Sequence, residues 1–215
     1  MARVIVFDLD DTLYLERDYV RSGFQAVERR LGVDGFCATA WRLFEAGARG
    51  DVFDQAMARH GIRTPVAELV EVYRSHAPDI VLRPEVLSLI RELASQGRAL
   101  ALISDGAHVS QAAKVEALGL AGLLDPIILT DAWGADFWKP HARAFETVMA
   151  AHGGDGAEYV YVADNPAKDF LAPRELGWRT IRMRWPGALH EGVEAPGCAD
   201  HQACDYAELR ELLDV

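Results

Sequence analysis

Two carboxylates close a short apolar run near the start of the chain, in Val4-Ile5-Val6-Phe7-Asp8-Leu9-Asp10-Asp11-Thr12. If the run is a buried strand, alternation puts Asp8 and Asp10 on one side, about 7 Å apart. Like charges ending such a strand repel one another unless something cationic joins them. That pattern suits a magnesium site with one acid free for chemistry. Asp-Asp-Thr is equally good turn chemistry, and the stretch alone leaves both readings standing.

Three more places carry groups of the same kind. Ser104-Asp105-Gly106 follows the apolar run Ala99–Ile103, Lys139 sits in Asp136-Phe137-Trp138-Lys139-Pro140, and Tyr159–Val162 runs into Ala163-Asp164-Asn165-Pro166-Ala167-Lys168-Asp169. Lysine is scarce, with Lys114, Lys139 and Lys168 the only three, so each position is informative.

Elements must bring these groups together. After Pro84, helical and apolar segments alternate: a helix from Glu85 to Gln96, the strand Ala99–Ile103, a helix ending at Gly119, and the strand Pro126–Thr130. A helix from about Ala142 to His152, the strand Tyr159–Val162, a helix ending at Gly177, the strand Thr180–Met183 and a closing helix Glu208–Leu213 complete the series. Such alternation predicts an α/β fold, a Rossmann-like parallel sheet flanked by helices. The working site of that sheet lies beyond the carboxyl ends of its strands. Asp8, Ser104, Lys139 and Asp164 all fall there.

Between the first strand and this series nothing has strand character. Val20, Phe24, Val27 and Leu31 fall at helical spacing and stop at Gly32; Phe36 to Gly47 and Val52 to Gly61 suggest two further helices. Thr64-Pro65 is expected to cap a fourth, carrying Val66, Leu69, Val70 and Tyr73. The predicted division is an α/β core made of residues 1–14 and 80–215, with residues 15–79 inserted as an all-helical cap.

Bulk properties narrow the function. A net charge of −11 argues against nucleic acid or an anionic membrane surface as partner. No apolar run approaches the roughly 20 residues of a membrane helix, and the N-terminus has no secretory pattern. Three cysteines, Cys37, Cys198 and Cys204, an odd number, point to reduced thiols and a cytoplasmic setting. The expected assembly is a monomer or small homo-oligomer.

In order and type, the four places resemble the haloacid dehalogenase-like (HAD) superfamily: Asp-x-Asp-x-Thr at Asp8, Asp10 and Thr12, then Ser104, then Lys139, then the acidic cluster Asp164 to Asp169. The helical insert after the first motif resembles the family's C1-type cap. Ala163 departs from the glycine common at that point. The resemblance implies a magnesium-dependent phosphatase with Asp8 as nucleophile, forming an aspartyl-phosphate, and Asp10 as general acid and base. It implies Mg2+ on Asp8, Asp164 and the main-chain carbonyl of Asp10, and phosphate on Ser104, Asp105 and Lys139. Asn165 and Asp169 would orient metal waters or Lys139 from behind, and Thr12 would brace the turn. The implied substrate is a small phosphorylated metabolite.

Alternatives separate on particular residues. Haloacid dehalogenases lack an acid at the place of Asp10; phosphomutases keep both acids, so they survive that filter. A signalling receiver domain uses similar residues on a parallel sheet but is about half as long and has no insert. A non-catalytic phosphoacceptor or binding protein would be expected to have lost Asp8, Asp10 or Lys139. His190, Cys198, His201 and Cys204 could suggest zinc, but their spacing is irregular and their segment reads as a loop. Lys114 and Lys168 read as surface residues, Arg143 as a weaker phosphate contact, and His141 as a phosphate contact or helix cap. Tyr14, Arg17, Tyr19 and Arg21, where the chain enters the insert, read either as leaving-group contacts or as a solvated helix start.

Overall fold

The computed structural model describes residues 2–215. The chain divides into two units, Met1–Arg17 with Val81–Val215, and Asp18–Ile80.

The first unit is built on a six-stranded sheet ordered β3-β2-β1-β4-β5-β6. The strands are β1 (Val4–Phe7), β2 (Ala99–Ser104), β3 (Ile127–Leu129), β4 (Tyr159–Ala163), β5 (Arg179–Met183) and β6 (His201–Ala203), and every pairing is parallel. β1 is central, aligning Val4 to Phe7 with Ala99 to Leu102 on one side and with Tyr159 to Val162 on the other. Its four residues are all buried, as a strand covered on both faces requires. The strand order reverses direction at β1, and the gap between β1 and β4 is where such sheets open a crevice.

One face of the sheet packs Val4, Val6, Ile103, Tyr159 and Tyr161 with Phe145 and Val148 of α7 (Arg143–His152) and with Trp178. Phe145 meets Tyr161 and Trp178 edge-on at 5.0 and 5.5 Å. Fully burying each such ring stabilises the fold by about 1.5–3 kcal/mol. Helix α5 (Pro84–Ser95), with Pro84 in its first turn, packs on β2 and on α9 (Tyr206–Leu212) through a stripe of Val86, Leu89, Ile90 and Leu93. Helices α6 (His108–Ala117) and α8 (Leu171–Glu175) follow β2 and β4.

The second unit holds α2 (Phe36–Glu45), α3 (Val52–His60), α4 (Val66–Ser75) and most of α1 (Glu16–Leu31). Phe24 of α1 meets Phe44, Phe53 and Tyr73 with centroids 5.8 to 6.4 Å apart, an aromatic core drawn from all four helices. Gly23 lets α1 approach α4: a Cβ there would stand 2.4 Å from the Tyr73 ring. Among the described residues no helix is long and apolar enough to cross a membrane.

Two local expectations need correction. α4 is capped by Pro65 rather than Thr64 and has no side-chain cap; the extended ψ of 131° at Pro65 places it before the first helical turn. The segment expected to be a plain loop before the last helix contains β6, aligned from Ile181↔His201 to Met183↔Ala203. Three residues, two of them exposed, are too few to show a period of two.

Candidate active site

Asp8 is held where the strand order reverses. Its backbone N–H donates to the Val162 carbonyl at 2.9 Å, so the β1–β4 ladder runs one residue past β1. Asp164 directly follows β4, and Ser104 is the last residue of β2. Lys139 arrives from the loop after β3. Its Nζ stands 2.5 Å from Asp8 Oδ1 and 2.8 Å from Asp169 Oδ1, and donates to the Tyr161 hydroxyl at 3.0 Å.

This knot is buried, and its electrostatics follow. Burial alone would lower the Lys139 pKa, but Asp169 and Asp8 outweigh it and hold it well above the ordinary lysine value. Burial raises the Asp8 carboxyl well above its usual range, against the pull of Lys139. Burial also raises Asp164, opposed by a hydrogen bond from His190. Asp8, Asp164 and Asp169 bring carboxylate oxygens within 4.8 Å of one another. Three buried carboxyl groups gather at one point, and their donors are hard oxygens. That donor set fits Mg2+. Asp169 has a supporting share, since its Oδ2 accepts from the Asn165 N–H at 2.9 Å while Oδ1 faces Lys139. Asn165 in turn takes the Ala167 N–H on Oδ1 at 3.0 Å, which shapes the loop.

Asp10 has different company from Asp8. Both of its oxygens lie 2.8 Å from Lys114 Nζ, Gln111 Nε2 donates at 3.2 Å, and the Tyr14 hydroxyl donates to Oδ1. Burial pushes the Asp10 carboxyl up, but Lys114 and the donors around it prevail and bring its pKa below the ordinary value. Lys114 is therefore no surface residue: it is 3 % exposed. Gln111 and Lys114, three apart on α6, share a helix face. The signal available in the sequence was the rarity of lysine.

Ser104 Oγ donates to Gln111 Oε1 at 3.0 Å and lines the same cavity as Asp8 and Asp10. Asp105 was also expected at the phosphate; its side chain is committed to other partners. Its carboxylate accepts from Thr130 Oγ1 at 2.7 Å, from the Lys139 N–H at 3.2 Å and from Lys168 Nζ at 2.9 Å, and a carboxylate cannot donate to phosphate. It holds the Lys139 loop instead. Lys168, expected at the surface, is anchored by that contact and lines the cavity.

The turn after Asp10 is braced by Asp11, not by the Thr12 side chain. Asp11 adopts φ 52°, with Oδ1 accepting from the Glu16 N–H at 2.8 Å and Oδ2 from the Leu189 N–H at 2.7 Å. Asp tolerates that left-handed conformation better than most side chains. The Thr12 hydroxyl is buried without a hydrogen-bond partner. Burial raises Asp11 to about 7, only partly offset by the Leu189 N–H.

A cavity of about 220 Å3 is lined by Asp8, Asp10, Ser104, Lys114 and Asp164, and Glu16, Trp138 and His190 extend its wall. Burial, reinforced by Asp10, raises Glu16 to about 7. Glu16 carried no motif in the sequence. His190 was set among the zinc candidates, yet its Nδ1 lies 2.8 Å from Asp164 Oδ2, and among the described residues Cys198, His201 and Cys204 gather into no group able to hold a metal. Asp11, Asp164 and His190 also gather ligand atoms within 4.8 Å, but Asp11 is engaged by backbone amides. Arg143 stacks on Trp133 and Phe137 at 4.5 and 4.6 Å and does not line the cavity. His141 Nδ1 accepts from the N–H of Arg143, the first residue of α7, at 3.1 Å. Tyr19 donates to the Tyr73 carbonyl and Arg21 lies 5.5 Å over Trp41, both within the helical unit.

Comparison with known proteins agrees with this architecture. A family model described as haloacid dehalogenase-like hydrolase matches residues 2–177. A glyceraldehyde 3-phosphate phosphatase of Methanocaldococcus jannaschii is 27% identical, covering 100% of this chain and 97% of that protein. A phosphoserine phosphatase of Thermus thermophilus is 26% identical over 83% of this chain and 87% of its own. Among solved structures, the magnesium-bound HAD-hydrolase YfnB of Bacillus subtilis superposes with a TM-score of 0.76 at 19% identity, covering 100% of this chain and 99% of that one. At that identity the likeness concerns the fold.

Proposed function

The chain belongs to the haloacid dehalogenase-like hydrolases, and from that premise we propose that it is a magnesium-dependent phosphatase of a small phosphorylated metabolite, working through an aspartyl-phosphate on Asp8. The observation that carries this reading is the Asp8 carboxylate at the cavity, 2.5 Å from Lys139 and beside Asp164 and Asp169. The relatives named for glyceraldehyde 3-phosphate and phosphoserine support a small ester, and so does the cavity of about 220 Å3. The helical unit Asp18–Ile80 takes the part of the C1-type cap, as its place after the first motif suggests.

In this mechanism Lys139, the Ser104 hydroxyl and Lys168 bind the non-bridging phosphate oxygens and offset their charge. Asp8 attacks phosphorus, forming the Asp8 Oδ–P bond as the ester P–O bond breaks. Asp10 gives a proton to the departing oxygen, so the alcohol leaves neutral. Water then attacks the phosphoryl group on Asp8, losing its proton to Asp10, and inorganic phosphate departs with both carboxyl groups restored. Asp8, Asp164 and the Asp10 carbonyl would hold Mg2+, with Asp169 behind them; when bound, the ion supplies charge neutralisation between carboxylate and phosphate.

The test is release of inorganic phosphate from a panel that includes glyceraldehyde 3-phosphate, phosphoserine and p-nitrophenyl phosphate, repeated with EDTA and with Asp8→Asn. Turnover that needs magnesium and disappears in Asp8→Asn is expected. Phosphate release that persists in Asp8→Asn, or isomerised product without free phosphate, overturns the assignment.

A further inference from the structure

Five acidic side chains line the cavity: Asp8, Asp10, Glu16, Asp105 and Asp164. Four of them have a cationic or imidazole partner inside the protein. Asp8 has Lys139, Asp10 has Lys114, Asp105 has Lys168 and Asp164 has His190. Glu16 has none: among the described residues no donor sits within hydrogen-bond distance of its carboxyl group, and Lys114 acts on it only from farther off. Its backbone is the part the fold uses. Glu16 opens α1, and its N–H donates to Asp11 Oδ1 at 2.8 Å, which fixes where the side chain starts. A half-buried carboxyl group in a cavity wall lacks the donors that bulk water would give it, so a ligand that brings a donor is favoured there.

The neighbours of Glu16 say which part of a ligand it meets. The charged groups that act on it most strongly are Asp10, Lys114, Asp11 and Asp164. Asp10 is the residue assigned to the ester oxygen, so Glu16 lies on the side of the departing alcohol. Three of those four neighbours are acids, and a second anion on the alcohol would add to their repulsion while a cation would relieve it. We propose that Glu16 is a specificity-determining residue: its carboxylate receives a protonated amine carried by the leaving alcohol, so short aminoalkyl phosphates are preferred over esters whose alcohol carries a carboxylate. The inference rests on the phosphatase reading and names the substrate class within it.

The experiment compares kcat/KM for 2-aminoethyl phosphate, 2-hydroxyethyl phosphate and phosphoglycolate, three esters of similar size whose alcohols end in an ammonium, a hydroxyl and a carboxylate. Wild type is expected to rank them in that order. Glu16→Gln keeps the shape and removes the charge, and Glu16→Ala removes the whole group. Both are measured after thermal melts establish folding, and Glu16→Ala carries the comparison if Glu16→Gln does not fold. In each, the ratio of kcat/KM for 2-aminoethyl phosphate to that for phosphoglycolate is expected to fall by about 10-fold or more, the loss of one charge-assisted contact. Differences in alcohol basicity are common to wild type and variant and cancel between them. A wild type that does not favour the ammonium ester over the carboxylate ester, or a folded variant with the wild-type ratio, overturns the proposal. Failure of wild type to release phosphate from any ester, p-nitrophenyl phosphate included, overturns the phosphatase reading instead. Calorimetric titration of wild type and Glu16→Gln with 2-aminoethylphosphonate and phosphonoacetate then decides the Glu16 preference without turnover: a ratio of affinities that falls about 10-fold supports it, and an equal ratio overturns it.

Discussion

His190 Nδ1 lies 2.8 Å from Asp164 Oδ2, and the buried Arg182 ties the two residues together through their backbones. Arg182 Nε donates to the Asp164 carbonyl at 3.2 Å and Nη2 to the His190 carbonyl at 2.8 Å. A ligand carboxylate fixed at its second oxygen presents the first in one orientation. His190→Ala is therefore expected to weaken Mg2+ binding by about 10-fold or more. Calorimetric titration, or the magnesium dependence of the melting temperature, reads this without assaying activity. Unchanged affinity would remove the orienting role.

Lys139 is the cation between Asp8 and Asp169, and all three side chains are nearly inaccessible. Lys139→Met leaves two buried carboxylates facing one another. The expected cost in metal-free buffer is about 3–5 kcal/mol, read from urea denaturation midpoints at constant slope. A loss below about 1 kcal/mol would mean that the pair contributes little to the fold.

The two residues of the turn predict opposite outcomes. The Thr12 hydroxyl is buried and unpartnered, so Thr12→Val should be neutral or slightly stabilising. Asp11 secures two backbone N–H groups, and Asp11→Ala should cost about 2 kcal/mol or more. Equal costs in thermal melts would return the bracing role to Thr12.

The Asp10–Lys114 pair sets a pH dependence of known sign. The folded pKa of Asp10 lies below the ordinary 3.8. The stability this group contributes is thus present above that value and lost as pH falls through the lower folded value. The stability difference between wild type and Asp10→Asn should shrink on acidification below about pH 4. A difference that instead grows toward low pH would contradict the pairing.

The legible part of this protein was whatever depends on neighbours along the chain. A run such as Val4–Phe7, with apolar residues at consecutive positions, has one burial pattern open to it, and alternation with helices implies a parallel sheet whose carboxyl edge gathers Asp8, Ser104, Lys139 and Asp164. The roles of isolated side chains were illegible for the opposite reason. Lys114 lies 104 residues from Asp10 and Lys168 lies 63 from Asp105. Nothing local distinguishes a lysine that reaches a buried carboxylate from one that reaches water.

The same division holds for the acids. Residue types and strand order alone placed an acidic rim on the sheet, because backbone pairing and burial are dictated by short stretches of sequence. Which acid meets which cation was decided by tertiary structure: Asp8 with Lys139, Asp10 with Lys114, Asp105 with Lys168, and Asp164 with His190. The choice among partners is made by distances of a few ångströms across a buried site, where Coulomb energies are large and change steeply with separation.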